Sequence, residues 1–120
     1  PSAQAASEQS RLIGQVMGLL EKSFGEAFDA DSVNAARFAV HLRYFLVRAR
    51  TAVQIEDGTS SLVAEALRVS DPDAYRVARR IRDLLEIRLN TAVTDDETAY
   101  LALHVARLTS SLQQATQSDA

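Results

Sequence analysis

The stretch of sequence that decides the fold is DDETAYLALHVARL, residues 95–108. Its apolar residues recur at spacings of three and four, which is the period of an α-helix and not that of a strand. Thr94 stands at the N-cap position and Glu97 follows three residues later, which is the arrangement of a capping box. The acidic residues of this first turn also suit the positive end of the helix dipole. We therefore predict a helix that begins at Asp95 and ends near Leu112, with His104 inside its apolar stripe.

The same helical spacing continues through the rest of the chain, which has only four glycines and two prolines. Asp71 can cap a helix with Pro72 at its first position, where a missing N–H costs nothing. The segment TAVQIEDGTSS, from residue 51 onward, carries the Asp-Gly pair and hydroxyl cluster of a loop. Besides the helix at 95–112, the pattern predicts helices over residues 8–24, 31–50, 60–69 and 72–90.

The predicted fold is all-α, a compact five-helix bundle over residues 8–112. Residues 1–7 and 113–120 are small and polar, and we expect them to be frayed tails. The side chains expected to point into the core are Leu12, Val16, Leu19, Leu20 and Phe24 in the first helix, Val33, Phe38, Leu42, Phe45 and Leu46 in the second, and Tyr75, Ala78, Ile81, Leu85 and Leu89 in the fourth.

Composition excludes several classes of function. Thirteen basic residues against sixteen acidic ones give a formal net charge of −3, so direct recruitment of nucleic acid is not expected without a separate domain. The absence of cysteine excludes disulfides, thiol nucleophiles and thiolate metal sites, and is consistent with the cytoplasm. No membrane-spanning run or signal peptide is found. The missing initiator methionine leads us to expect a piece of a longer protein.

His41 lies on the second predicted helix within RFAVHLRYFLVR, among aromatic residues and with an arginine at each end of its face. One interpretation is a partly buried core histidine whose nitrogens are hydrogen-bonded. The other is a phosphoryl acceptor, because Arg37 and Arg48 would disfavour the imidazolium form and offer planar forks to phosphate oxygens. The same two interpretations apply to His104, where Tyr100 can offer its hydroxyl from one turn back.

Other chemistry finds less support in the sequence. The acidic run DDE at a helix N-terminus is typical of capping and not of paired catalytic carboxylates. The two histidines lack a metal-binding spacing, so neither a metal nor a cofactor is expected. A Ser-His-Asp hydrolase would need a strained nucleophile turn on an α/β scaffold. The basic run RVARRIR, residues 76–82, is interpreted as a solvated helix face balanced by Asp83 and Glu86, with docking of an acidic partner as the alternative.

Two segments of the chain resemble one protein family. PDAYRVARRIRDLLEIRL followed by DDETAYLALHVARL resembles the second half of a PTS regulation domain, or PRD. FAVHLRYFLVR resembles its first half, where a histidine is followed by an arginine seven residues later, as His41 and Arg48 stand here. The resemblance covers roughly residues 10–112. Because Val40 replaces the acidic residue found before the first histidine of many first-copy domains, the chain is more similar to a second-copy PRD.

The resemblance implies a regulatory domain of bacterial transcriptional antiterminators and activators, not an enzyme. Its phosphorylation sites would be His41 and His104, modified by the phosphocarrier protein HPr or by an enzyme II component of the sugar phosphotransferase system. It would form a cytoplasmic homodimer, with RNA or DNA bound only by a separate domain and no contact with a membrane. The resemblance carries over Arg48 as the phosphoryl-neighbouring residue, and helix spacing adds Arg37 and Tyr100 as two further phosphoryl neighbours. Three alternatives remain open: a purely structural dimerisation module, a histidine phosphotransfer bundle, and an acid–base enzyme using the same two histidines.

Overall fold

A computed structural model describes residues 2–51, 54, 58 and 60–118 of the chain, with the side chains of residues 2 and 110–118 excepted. The described elements are α1 (Ser2–Phe24), a 3₁₀ turn (Gly25–Ala27), α2 (Val33–Arg50), α3 (Ser60–Ser70), α4 (Pro72–Leu89) and α5 (Asp95–Ser118). Within these ranges there is no strand, which confirms the predicted all-α five-helix bundle. The loop predicted from residue 51 falls largely outside the described residues.

Helices α4 and α5 pack along each other and form the centre of the bundle, with α1 against α4 and α2, and α3 against α4 and α5. The buried face of α4 is fully inaccessible to solvent at Ala78, Ile81 and Leu85. These residues recur at spacings of three and four, so one stripe of α4 faces the core over its whole length. This central position explains why α4 carries no polar residue on its inner side.

Side-chain caps begin three of the helices, and those by Asp71 and Thr94 are the ones predicted from the sequence. The Ser32 hydroxyl accepts a hydrogen bond from the Ala35 N–H at 3.0 Å, the Asp71 carboxylate from the Ala74 N–H at 3.2 Å, and the Thr94 hydroxyl from the Glu97 N–H at 3.1 Å. Each bond satisfies one N–H that has no partner within its own helix. Helix α4 ends where Asn90 adopts the left-handed conformation, with φ of 52°.

The structure differs from the predicted core at one position. Val33 was expected to point inward, yet it is 68% exposed. Helical geometry explains the difference, because the buried face of α2 runs through Ala35, Phe38 and Leu42. Val33 is instead in line with Arg37, one turn later on the solvent side. The other inward residues predicted for α1, α2 and α4 are buried or half-buried.

Both terminal helices extend beyond the predicted bounds. Helix α1 begins at Ser2 instead of residue 8, and α5 continues to Ser118 instead of ending near residue 112. The polar ends contain alanine, glutamine and serine but no glycine, and the only proline is residue 1, so nothing in them stops a helix. One tertiary contact also holds the start of α1, where the Arg50 guanidinium donates to the Ala5 carbonyl at 3.4 Å. Fraying of these ends stays a prediction.

Candidate functional site

The two histidines of the chain lie against each other on the rim of a groove between α2 and α5. The ring centroids of His41 and His104 are 4.2 Å apart and their planes are inclined by 28°, so the imidazoles are stacked. His41 is exposed, whereas His104 is half-buried. The structure thus brings both predicted acceptors into one place within a single chain.

Packing of the two helices explains this meeting. Helix α2 buries Phe38 and Leu42, and His41 lies between them in sequence at the edge of that buried face. Helix α5 buries Leu101 and Leu108, and His104 lies one turn from each of them. When the two apolar faces pack together, both imidazoles are left where the interface opens to solvent.

His104 is held in its uncharged form near neutral pH. Burial of the ring lowers its pKa to about 4, and the neighbouring charges of His41 and Arg107 act in the same direction. An uncharged imidazole keeps a lone pair on one ring nitrogen, and that lone pair is needed for attack on a phosphoryl group. The environment of His104 therefore favours a nucleophile over a cation.

Arg48, a predicted phosphoryl neighbour, lines the groove, and its guanidinium is engaged by a carboxylate. Its Nη2 donates to both carboxylate oxygens of Glu97, at 3.0 and 3.1 Å. Glu97 is only 2% exposed, so the carboxylate of this ion pair is withdrawn from water, whereas the Arg48 side chain is half-buried. The Nε atom of Arg48 is buried without a hydrogen-bond partner among the described residues. Arg48 therefore joins α2 to the first turn of α5.

The groove itself has a volume of about 360 Å³. Its walls are mainly aromatic and aliphatic, from Phe38, Phe45 and Leu103, and the half-buried Tyr100 lies in the same wall as His104. A smaller cleft of about 40 Å³ shares His41, His104 and Arg107 with the groove and is also lined by Asn34 and Arg37. The predicted neighbour Arg37 thus lies in the cleft, whereas Arg48 and Tyr100 lie in the groove.

Sequence reasoning missed two residues that shape the site. It assigned Glu97 only to a capping box, although Glu97 is four residues before Leu101 and seven before His104, and that spacing places it on the groove face. It also missed the role of Asp96, whose carboxylate accepts from the N–H groups of Gly58 and Ser60, both at 2.9 Å. Asp96 therefore holds the start of α3 against α5, a partnership between distant segments that sequence spacing does not show.

The basic run on α4 is a solvated face, as interpreted from the sequence. Arg76 pairs with Asp73 at 2.8 Å, and Arg82 pairs with Asp83 at 3.1 Å. The carboxylate of Glu86, which was expected to balance the run, accepts a hydrogen bond from the Val93 N–H at 2.9 Å in the turn before α5. Within the described ranges, no group of three or more metal-ligating side chains comes together. None of the described helices is both long enough and apolar enough to cross a bilayer.

Comparison with known proteins finds relatives among operon and transcription antiterminators. The chain is 25% identical over 109 residues to the beta-glucoside operon antiterminator of Dickeya chrysanthemi, covering 89% of the chain and 38% of that relative. It is 26% identical over 106 residues to the PtsGHI operon antiterminator of Bacillus subtilis, covering 88% of the chain and 37% of that relative. It is 22% identical over 99 residues to the transcription antiterminator LicT of the same species, covering 82% of the chain and 35% of that relative.

These relatives are named as antiterminators, which is a regulatory and not an enzymatic role. The chain spans little more than a third of their length. The model of the PRD domain family matches residues 14–108, which include all of α2, α3 and α4 and both histidines. The chain accordingly belongs to the PRD domain family.

Proposed function

We propose that this PRD domain is a regulatory phosphoacceptor, modified on His41 and His104 by proteins of a sugar phosphotransferase system. The observation that carries the proposal is the stacked pair of imidazoles at 4.2 Å on the rim of the groove. His41 is exposed to an incoming donor, and His104 is uncharged at neutral pH because its pKa is lowered to about 4. A pair of purely structural histidines would not require this access.

The proposed chemical step is transfer of a phosphoryl group between two imidazoles. A lone pair on a ring nitrogen of His41 or His104 forms a new P–N bond as the P–N bond of the donor's phosphohistidine breaks. The electron pair of the broken bond returns to the donor ring, and a proton released by the acceptor ring passes to the donor ring or to water. No oxidant, metal or cofactor enters this balance.

The donor proposed here is HPr, because Val40 before His41 makes the chain more similar to a second-copy domain. An enzyme II component is the other donor that the family resemblance offers. A relative named for a beta-glucoside operon supports a link to carbohydrate use. Since the chain spans little more than a third of its relatives, we place the RNA-binding or DNA-binding output in another part of a longer cytoplasmic protein.

Phosphorylation would act on a surface suited to dimer formation. Val40, Tyr44 and Val47 are exposed on the outer face of α2, with exposed fractions of 46%, 63% and 50%, and Val40 and Tyr44 are within one turn of His41. An exposed apolar stripe of this kind is typical of a contact surface. A phosphoryl group at neutral pH adds about −1.5 to −2 charges next to it. We propose that this charge changes the stability of a homodimer and thereby switches the attached output domain.

The test is a phosphotransfer assay with enzyme I, HPr and radiolabelled phosphoenolpyruvate. Wild-type protein should take up label that is lost in acid, as expected for phosphohistidine. His41→Ala and His104→Ala should each reduce the label, and the double variant should abolish it. Arg76→Ala, on the solvated face of α4, is the matched control and should keep the wild-type level. An enzyme II component in place of HPr forms a second arm of the assay.

Sedimentation of the protein before and after phosphorylation tests the regulatory step. A changed monomer–dimer equilibrium is expected in wild-type protein and should be absent in the double histidine variant. Label on neither histidine from either donor would leave only a structural bundle and would reject the proposal. Label without any change in association would reject the dimer switch alone.

A further inference from the structure

The cleft beside the stacked histidines collects positive charge from two helices. Arg37 comes from α2 and Arg107 from α5, and both side chains are exposed at its mouth. Neither forms an ion pair with a described residue, whereas the described partners of Arg48, Arg76 and Arg82 are carboxylates. Two guanidinium groups that face one cleft without an acidic partner are suited to an anion.

Arg48 cannot take this role without a large cost. Both oxygens of the nearly inaccessible Glu97 carboxylate accept from its Nη2, so moving the guanidinium to another anion would remove the counter-charge of a buried acid. Arg48 is also absent from the residues that line the cleft. The arginine that follows the first histidine by seven residues therefore serves the contact between α2 and α5.

Asn34 gives the cleft a fixed wall. Its Nδ2 donates to the Arg107 carbonyl at 3.3 Å, which connects the first turn of α2 with α5 next to both histidines. The volume of about 40 Å³ is room for roughly three water-sized atoms, or the three oxygens of a phosphoryl group. Both imidazoles line the same space.

We infer that Asn34, Arg37 and Arg107 form an anion subsite that receives the phosphoryl group on its way to or from the histidine pair. The role of this subsite in phosphotransfer rests on the proposed function. The binding of an anion by the cleft does not depend on that function. The guanidinium groups would neutralise the transferring oxygens and orient them towards the ring nitrogens. The ligand class is a phosphoryl group or a free phosphate ion.

Inorganic phosphate alone is the probe for the subsite, with the histidine ring C–H resonances observed by NMR. Phosphate should shift the resonances of both histidines in a saturable manner at constant ionic strength, with chloride as the reference salt. Arg37→Gln and Arg107→Gln should each weaken phosphate binding about tenfold, the loss expected for one charge-assisted contact. Arg43→Gln is the matched control, because Arg43 is an exposed arginine of α2 outside the cleft lining, and it should bind as wild type does.

The phosphotransfer assay supplies the second readout for these variants. Arg37→Gln and Arg107→Gln should slow labelling about tenfold, whereas Arg43→Gln should not. Phosphate binding without labelling from any donor would reject the proposed function and keep the subsite. Normal phosphate affinity and normal labelling in both cleft variants would overturn the subsite. Loss of phosphate binding in a folded Arg48→Gln protein, with the cleft variants unaffected, would move the anion to Arg48 and also overturn it.

Discussion

Replacement of Arg48 by methionine tests whether the ion pair in the groove holds the bundle together. The substitution keeps much of the apolar stem but leaves the Glu97 carboxylate, 2% exposed, without its guanidinium partner. Breaking a fully buried pair in this way costs about 3 to 5 kcal/mol. Since the Arg48 side chain is 35% exposed, water can partly replace it, and we expect a loss of about 2 to 3 kcal/mol in the free energy of unfolding.

The measurement is urea unfolding followed by circular dichroism, with the m-value checked for constancy. A loss of this size corresponds to a fall of about 10 °C in Tm for a domain of this length. Combining Arg48→Met with Glu97→Leu removes both charges and should restore stability to within about 1 kcal/mol of wild type. Arg76→Met, which breaks an exposed pair with Asp73, is the matched control and should have little effect.

Two outcomes would refute the reasoning on Arg48. The first is an Arg48→Met protein as stable as the Arg76→Met control, because Glu97 would then not depend on its guanidinium. The second is a double variant no more stable than Arg48→Met alone, because the loss would then come from packing and not from an uncompensated charge.

Three further predictions concern pH and the helix ends. Folded His104 takes up its proton near pH 4 and the unfolded chain near pH 6.5, so stability should fall as the pH is lowered between these values. Protonation of His104 should lower the free energy of unfolding at pH 4.5, relative to pH 7, by about 1 to 2 kcal/mol after allowance for the exposed part of the ring. Urea unfolding of His104→Gln at the same two pH values should lack this part of the loss. Asp96→Ala removes the acceptor of the Gly58 and Ser60 N–H groups, so it should cost about 1 to 2 kcal/mol and speed amide exchange at Ser60. Asn90 has a φ of 52°, which glycine adopts readily and valine does not. In urea unfolding, the free energy of unfolding of Asn90→Gly should be within a few tenths of a kcal/mol of the wild-type value, whereas that of Asn90→Val should be lower by about 1 kcal/mol or more.

Local chemistry could be predicted from the sequence because it depends on residues within one or two turns. The capping of α4 by Asp71 and of α5 by Thr94 follows from residue type and a three-residue spacing, and both hydrogen bonds are present. The one inward residue placed wrongly, Val33, stands at the very start of α2. Periodicity is least informative there, because only one side of the residue has a helical neighbour to set the phase.

The site could be predicted only in part, for the same reason. His41 and His104 were singled out from their apolar surroundings and from the family resemblance, and the structure stacks them. The partners of Arg48 and Asp96 were missed, because each carboxylate-to-donor contact joins segments dozens of residues apart. Glu97 can act in a capping box or as the partner of an arginine, and only the position of Arg48 across the groove shows that it forms the ion pair.

The sequence by itself determined that this protein is helical, where most helices start, which faces are apolar and which two histidines interrupt them, because these depend on residue type and on the period of the α-helix. Only the tertiary structure decided which arginine pairs with a carboxylate and which arginines lie beside the histidines. The packing of α2 on α5 joins Arg48 to a buried carboxylate and leaves Arg37 and Arg107 beside the histidines. That choice depends on distances across the bundle, and electrostatic energies in a protein are determined by distance and burial.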